Sequence, residues 1–231
     1  MWEKAEFKDW EIFFKTDEKI INPYHHGHHD FYSFVLHDNG VPIMVDSGGA
    51  SYDKANKYSQ TAKFSESHNT ILINNLGYKP KSIKYLPSDY WNSEFSYKCI
   101  KNDTYVKIEL SCTGFNRIDN SINLTRTIIL SDEGVTIKDS SNSNVSHKIS
   151  NYFHFDPNIE LKNNDHELII EGTKRNYVFK HMKTSNILIN PVDEYRFYSE
   201  KYGINDKKSF IKNQNIINKN LSITHFLERT F

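Results

Sequence analysis

Short runs in which apolar and polar residues alternate recur along the chain, at Tyr32-Ser33-Phe34-Val35-Leu36, Ile71-Leu72-Ile73, Tyr105-Val106-Lys107-Ile108-Glu109-Leu110 and Leu168-Ile169-Ile170. A period of two turns one set of side chains toward a core and the other toward water, which is the pattern of a half-buried strand. Between the runs lie Asp38-Asn39-Gly40, Asp46-Ser47-Gly48-Gly49, Asn74-Asn75-Leu76-Gly77, Ser131-Asp132-Glu133-Gly134 and Asn163-Asn164-Asp165. These residues tolerate positive φ or close Asx turns. Strand, turn and strand at spacings of roughly 8–12 residues predict an all-β, antiparallel β-sandwich. No apolar stripe at helical spacing is sustained for more than about two turns, and Ser51 to Phe64 is the best candidate for a short helix or an ordered loop. Without an internal repeat, low-complexity tract or linker, a single domain over residues 1–231 is the simplest organisation. The stretch from Asn151 onward is the part that could form a more loosely attached layer.

Composition narrows the function classes. Lys+Arg and Asp+Glu both total 29, the pI is about 7.2 and 14% of residues are aromatic. Such a chain can bury a core, and its neutral balance supplies no global field for nucleic acid or an anionic membrane. The charge run Asp206-Lys207-Lys208 is too short to signal nucleic acid. No uncharged apolar run approaches the length of a membrane span, and the opening MWEKAEFKDWE lacks the regions of a signal peptide. As written, the chain is expected to be soluble and unexported. The two cysteines, Cys99 and Cys112, lie in alternating segments and are expected to be reduced, buried thiols.

The densest chemistry is His25-His26-Gly27-His28-His29-Asp30, directly before the run Phe31 to Leu36. On a strand, His26 and His28 would project to one face. An H-x-H pair can hold a metal with a third ligand from elsewhere, because zinc accepts imidazole nitrogen and carboxylate oxygen at about 2.0–2.2 Å. A solvated polar cluster is the competing reading. Further on, Val41-Pro42-Ile43-Met44-Val45 ends in Asp46, where an Asx turn is the commoner role. Ser67-His68-Asn69-Thr70 then leads into Ile71 to Ile73, placing a histidine at a strand entrance. A meander could bring His28, Asp46 and His68 to one point.

These residues resemble a known family. His26-Gly27-His28-His29-Asp30-Phe31-Tyr32-Ser33-Phe34, then Pro42-Ile43-Met44-Val45-Asp46-Ser47-Gly48, then Ser67-His68-Asn69-Thr70-Ile71-Leu72-Ile73 is similar in order and spacing to the β-sandwich of the heparinase II/III family of polysaccharide lyases. Arg126-Thr127-Ile128-Ile129-Leu130, Asn151-Tyr152-Phe153-His154-Phe155 and Ser199-Glu200-Lys201-Tyr202-Gly203 extend the resemblance, and Trp10 to Lys15 resembles its opening strand. Carried over by position, the resemblance implies a zinc ion bound by His28, Asp46 and His68, with His26 facing the catalytic cleft. It also implies β-elimination on a uronic-acid polysaccharide, in which the C5 proton beside a carboxylate is removed and the O4 leaving group expelled. Lys63-Phe64-Ser65 stands where the family commonly has Arg-Ser-Thr, so Lys63 is the candidate contact to an acidic sugar. In the family the acid and the carboxylate neutraliser come from an α/α-toroid domain, and nothing in this chain resembles it. A toroid domain or partner chain and an acidic polysaccharide are therefore the implied partners.

Tyr52 and Tyr58 lie between the motifs and could stack on sugar rings, although tyrosines covering a sandwich edge are commoner. His154 alternates with aromatic residues and reads as a satisfied sandwich histidine, and His147, His166, His181 and His225 receive no role. Two other functions compete with a lyase component. One is a non-catalytic carbohydrate-binding or scaffolding module. The other is a cupin-like metal enzyme, although the run after His28 lacks the Glu a cupin needs.

Overall fold

The computed structural model describes residues 1–16, 27–49, 51, 53, 55–82, 86–87, 93–164, 167–201 and 206–230. The chain opens with β1 (Trp2–Phe7), β2 (Trp10–Lys15), β3 (Phe34–Asp38) and β4 (Val41–Met44), one antiparallel sheet in sequence order. After β5 (Ile71–Ile73) comes a meander of β6 (Phe95–Lys101), β7 (Tyr105–Cys112), β8 (Leu124–Ser131) and β9 (Val135–Ser141). Then follow β10 (Ser146–His154), β11 (Glu160–Asn164), β12 (Glu167–Glu171), β13 (Asn176–Lys180) and β14 (Asn186–Ile189). A short ribbon of β15 (Phe197–Tyr198) and β16 (Asp206–Lys207) precedes the final hairpin, β17 (Phe210–Asn218) and β18 (Leu221–Arg229). Two short 3-10 helices, Ser65–Ser67 and Asp193–Tyr195, are the only helical turns among the described residues.

The period of two works as the sequence predicts. Residues of β7 and β8 alternate strictly between buried and half-buried, so Val106, Ile108, Leu110, Ile128 and Leu130 point into the core while their neighbours meet water. The hairpin between β3 and β4 turns through Asn39 at φ +50° and Gly40 at φ +73°, the left-handed pair that matches strand twist.

Two layers result. One is an eight-stranded sheet in the order β11-β12-β13-β18-β9-β8-β7-β6. The other combines the β1–β4 sheet with a second four-stranded sheet, β14-β17-β10-β5. These two join where Val45 N–H donates to the His154 carbonyl at 2.9 Å and Asp156 N–H donates to Ile43 at 3.0 Å. Trp10, Ile12, Phe14, Phe34, Leu36, Ile149 and Phe153 close the core against Ile108, Leu110, Ile128, Leu130, Phe179 and Ile223. The fold is the all-β sandwich expected.

Three local expectations need correction, and one open alternative is resolved. The opening strand is Trp2–Phe7, one strand before Trp10. Of the short helix and the ordered loop expected between Ser51 and Phe64, residues 55–64 take the loop, as successive turns, because they offer no continuous apolar face. The stretch after Asn151 is not an added layer, since β10 lies between β5 and β17, and β18 lies between β9 and β13. Finally, Phe31 and Tyr32 form a turn and the strand starts at Phe34, with Tyr32 at φ +74°. Left-handed backbone at a bulky residue costs about 1 kcal/mol or more. It persists because the Tyr32 hydroxyl donates to the Leu124 carbonyl at 2.9 Å and accepts from Cys112 N–H at 2.9 Å, while Arg126 holds the Tyr32 carbonyl at 3.0 Å.

Candidate functional site

Asp46 leaves β4 one residue past Val45. Its Oδ1 accepts from Gly48 N–H at 3.0 Å, closing the Asx turn that the sequence suggests, and Gly48 takes φ +69°. A side chain at Gly48 would meet the Ser199 carbonyl at 2.6 Å, so glycine is needed there for space as well as conformation. The second carboxylate oxygen accepts from Ser33 Oγ at 3.1 Å and lies 2.8 Å from Nδ1 of His68. The turn chemistry thus leaves one oxygen free to face the histidine.

His68 is fully buried just past the Ser65–Ser67 turn, its N–H donating to the Ser65 carbonyl. In the neutral ring, with Nδ1–H donated to Asp46, its Nε2 is a buried lone pair that meets no hydrogen-bond partner among the described residues. The ring of His28 stands beside it, with centroids 5.2 Å apart. His28, Asp46 and His68 are therefore brought together, as the spacing suggests. His28 reaches this point from a loop rather than a strand.

Charge follows the geometry. Burial alone would raise the Asp46 pKa, but His68 and the Gly48 N–H outweigh it and hold the carboxyl well below its ordinary range. Burial depresses His68, and the Asp46 carboxylate more than compensates, raising it above the ordinary histidine value. His28 is lowered, first by burial and then by His68. The result is a paired carboxylate and imidazole with a second, neutral imidazole alongside.

Two imidazoles and a carboxylate are a donor set suited to zinc, and the unpartnered Nε2 of His68 is the kind of atom such an ion satisfies. The arrangement itself is a hydrogen-bonded pair plus a neighbouring ring: among the described residues no group of three or more His, Cys, Asp or Glu side chains is set out as a ligand cage. Direct coordination by Asp46 would require its hydrogen bond with His68 to be exchanged for the metal.

Behind the pair lies a buried scaffold of Asn69, Arg126 and Asp139. Asn69 donates to the carbonyls of Phe34 at 2.7 Å and Val45 at 3.2 Å, and its Oδ1 accepts from His154 N–H at 2.7 Å. One amide side chain thus ties β3, the end of β4 and β10. The Asn69 carbonyl accepts from Arg126 at 2.6 Å, and Arg126 is held by two parallel bonds of 2.8 Å to Asp139. Arg126 and Asp139 are both fully buried, so the pair is satisfied by geometry rather than by water. Arg126 begins the Arg-Thr-Ile-Ile-Leu run, which reads as strand periodicity and hides this role.

The remaining sequence candidates scatter. His26 and Tyr52 lie outside the described residues. Tyr58 stacks on Phe197 at 4.9 Å, as an edge-covering tyrosine would. Lys63 is exposed, with its ammonium 5.3 Å from the Phe64 ring. His29 packs edge-on to Phe64 and Tyr78, and burial pushes its pKa down to about 3. His154 donates through Nε2 to the Glu66 carbonyl at 2.9 Å, while its Nδ1 is buried without a partner among the described residues. It is thus half satisfied rather than fully so. Cys99 and Cys112 are reduced thiols, Cys112 buried and Cys99 half-buried. Among the described residues no helix is long and apolar enough to cross a membrane.

The sandwich and the motif order together define a class. Residues 4–218 match the model of the Heparinase II/III-like C-terminal domain, and the chain belongs to that family. Heparan sulfate lyase HepC from Pedobacter heparinus superposes with a TM-score of 0.73 at 9% identity, over 95% of this chain and 33% of that one. The heparinase III BT4657 gene product gives a TM-score of 0.71 at 12% identity, over 96% of this chain and 33% of that one. The chain thus spans about a third of the length of these heparinases. A similar shape occurs in the 4-alpha-glucanotransferase from Thermococcus litoralis, with a TM-score of 0.54 at 10% identity over 99% of this chain and 37% of that one. The sandwich alone therefore does not fix a chemistry. No curated protein matches the chain by sequence. Membership of the heparinase family sets the cupin-like reading aside.

Proposed function

We propose that this chain is the metal-holding sandwich of a polysaccharide lyase that cleaves a uronic-acid polysaccharide by β-elimination, working with an α/α-toroid domain or partner chain. The observation that carries the proposal is the Asp46–His68 pair, its histidine fully buried, with His28 beside it and Nε2 of His68 unpartnered among the described residues, in a member of the heparinase family. His28, Asp46 and His68 would hold zinc, which would supply positive charge that cross-links three loops. A site drawn from residues this far apart exists only in the folded state, so metal binding would stabilise the fold.

The chemistry asks for a base near the sugar C5, a neutraliser for its carboxylate and an acid for the leaving oxygen. His26 takes the base role in this reading, two residues from His28 and free to exchange protons because it is not committed to metal. Lys63, exposed at the same end of the sandwich, is suited to an anionic sugar. The neutraliser and the acid are assigned to the partner domain. An apolar concavity of about 330 Å³, lined by Trp2, Phe13, Val35, His37 and Asp46, supports a further surface meeting the site there.

The test separates the two parts of the proposal. His26→Ala should leave zinc content and melting nearly unchanged while removing elimination by the complete enzyme, read from the ultraviolet absorbance of the unsaturated product. Equal loss of zinc in His26→Ala and His28→Ala would show that the roles are assigned wrongly. The chain alone should bind zinc and form little or no product on heparan sulfate or alginate. Robust product formation would move Tyr52, Tyr58 and Lys63 into the catalytic set.

A further inference from the structure

Lys208 is a lysine almost without water. Only 1% of it is exposed, and its ammonium lies 6.0 Å from the Phe197 ring. It donates at 2.6 Å to the hydroxyl of Ser47, and that hydroxyl donates onward to the Ser67 carbonyl. Ser47 directly follows Asp46, and Ser67 directly precedes His68. An ammonium, a hydroxyl and a carbonyl therefore link the two backbones that carry the paired carboxylate and imidazole.

The lysine is itself held. Lys208 N–H donates to the Arg196 carbonyl at 2.9 Å, and Arg196 Nε returns a bond to the Lys208 carbonyl at 3.3 Å. Ser199 N–H donates to the Ser47 carbonyl at 3.0 Å, and Ser209 accepts from Phe155 N–H beside His154. Ser199 and Lys208 thus clasp the loop after Asp46 from about 150 residues away in sequence. A buried ammonium is costly unless paired, and methionine would fill similar space without that cost. Burial pushes the Lys208 pKa down to about 7, against the pull of Asp46.

We propose that Lys208 is the positioning residue of this centre: through Ser47 it sets where Asp46 and His68 stand relative to one another. The zinc readout of this proposal rests on the metal reading above, and a second readout does not. Lys208→Met and Ser47→Ala, made singly and together, should each weaken zinc binding about tenfold or more, as lost outer partners of metal ligands do. Because both cut one relay, the double variant should be no weaker than the weaker single variant. In the metal-free protein, ring-nitrogen NMR should show one Nδ1–H tautomer for His68 in the wild type and a mixture in both variants. Unchanged zinc affinity in Lys208→Met, or losses that multiply in the double variant, would overturn the proposal. If the wild type binds no zinc, the metal reading fails by itself, and unchanged His68 nitrogen signals in both variants would then overturn the relay. Should Lys208→Met fail to fold, Ser47→Ala, which deletes one oxygen, carries the same measurements.

Discussion

Among the described residues, two histidine–aspartate pairs look alike in isolation. His68 meets Asp46 at 2.8 Å, and His147 meets Asp119 at 3.1 Å. His147, however, has its other nitrogen against the Asn74 amide at 3.1 Å, and Asp119 also accepts from the Ser121 N–H and hydroxyl and from the Ser143 hydroxyl. Every polar atom of that pair has a protein partner, although it borders a polar concavity of about 540 Å³. His68 keeps a buried nitrogen with none among the described residues. A satisfied pair reads as architecture, whereas one left incomplete and buried carries a cost that a ligand can remove.

The sharpest way to break this comparison is to ask which pair holds metal. His68→Ala should abolish stoichiometric zinc in the untagged protein, and His147→Ala should leave it bound. Chelation should lower the melting temperature of the wild type and not that of His68→Ala. Absence of zinc from the wild type, with melting indifferent to chelator, would remove the distinction.

The scaffold beneath only one of the pairs gives the next effect. Asp139→Ala would strand the buried Arg126 guanidinium, and breaking one side of a buried ion pair costs about 3–5 kcal/mol. Denaturant unfolding should show a loss of that size. Because Arg126 also holds the carbonyls of Tyr32 and Asn69, zinc affinity should fall as well.

Acid should distinguish the buried histidines from the paired one. His225 is fully buried against Phe153 and Phe179, and burial pushes its pKa down to about 3, as it does for His29. Both contribute their full stability above the unfolded value near 6.5 and lose it as pH falls toward 3, at up to about 1.4 kcal/mol per pH unit for each. The raised pKa of His68 works oppositely: its stabilisation is complete below about 6.5 and is lost as pH rises through the folded value. Urea midpoints in metal-free protein should therefore fall from pH 6.5 to 4, and His68→Gln should lose most relative to wild type near pH 6. A flat profile from pH 6.5 to 4 would contradict the buried, neutral state of His225.

The smallest effect belongs to the satisfied pair. Asn74→Ala should cost about 1 kcal/mol, the worth of an ordinary hydrogen bond, with zinc affinity unchanged. A change in zinc affinity would mean that the two ends of the sandwich communicate.

Much of the fold was legible in one dimension because strand burial repeats every two residues and turn residues need only local geometry. Ile108, Leu110, Ile128 and Leu130 could be placed in the core from alternation, and Asn39-Gly40 could be placed in a turn from backbone preference. The site was legible only in its residue identities: His28, Asp46 and His68 belong to ordered motifs, and the structure brings them together. Tyr32 escaped, because its left-handed turn is held by Leu124 and Cys112 in a distant hairpin.

The sequence by itself determined the strand periodicity, the turns, the neutral charge balance and the family motifs, since each depends on residues close together in the chain. Tertiary structure alone decided that Asn69, Arg126 and Asp139 form the footing of the site and that Lys208 lies behind Ser47. It also decided that, among the described residues, His68 and His154 are the histidines left with an unpartnered buried nitrogen. The physical reason is that satisfaction of a buried polar atom depends on what folding places within about 3 Å of it. For these side chains the partners come from strands and loops that only the packed sandwich brings together.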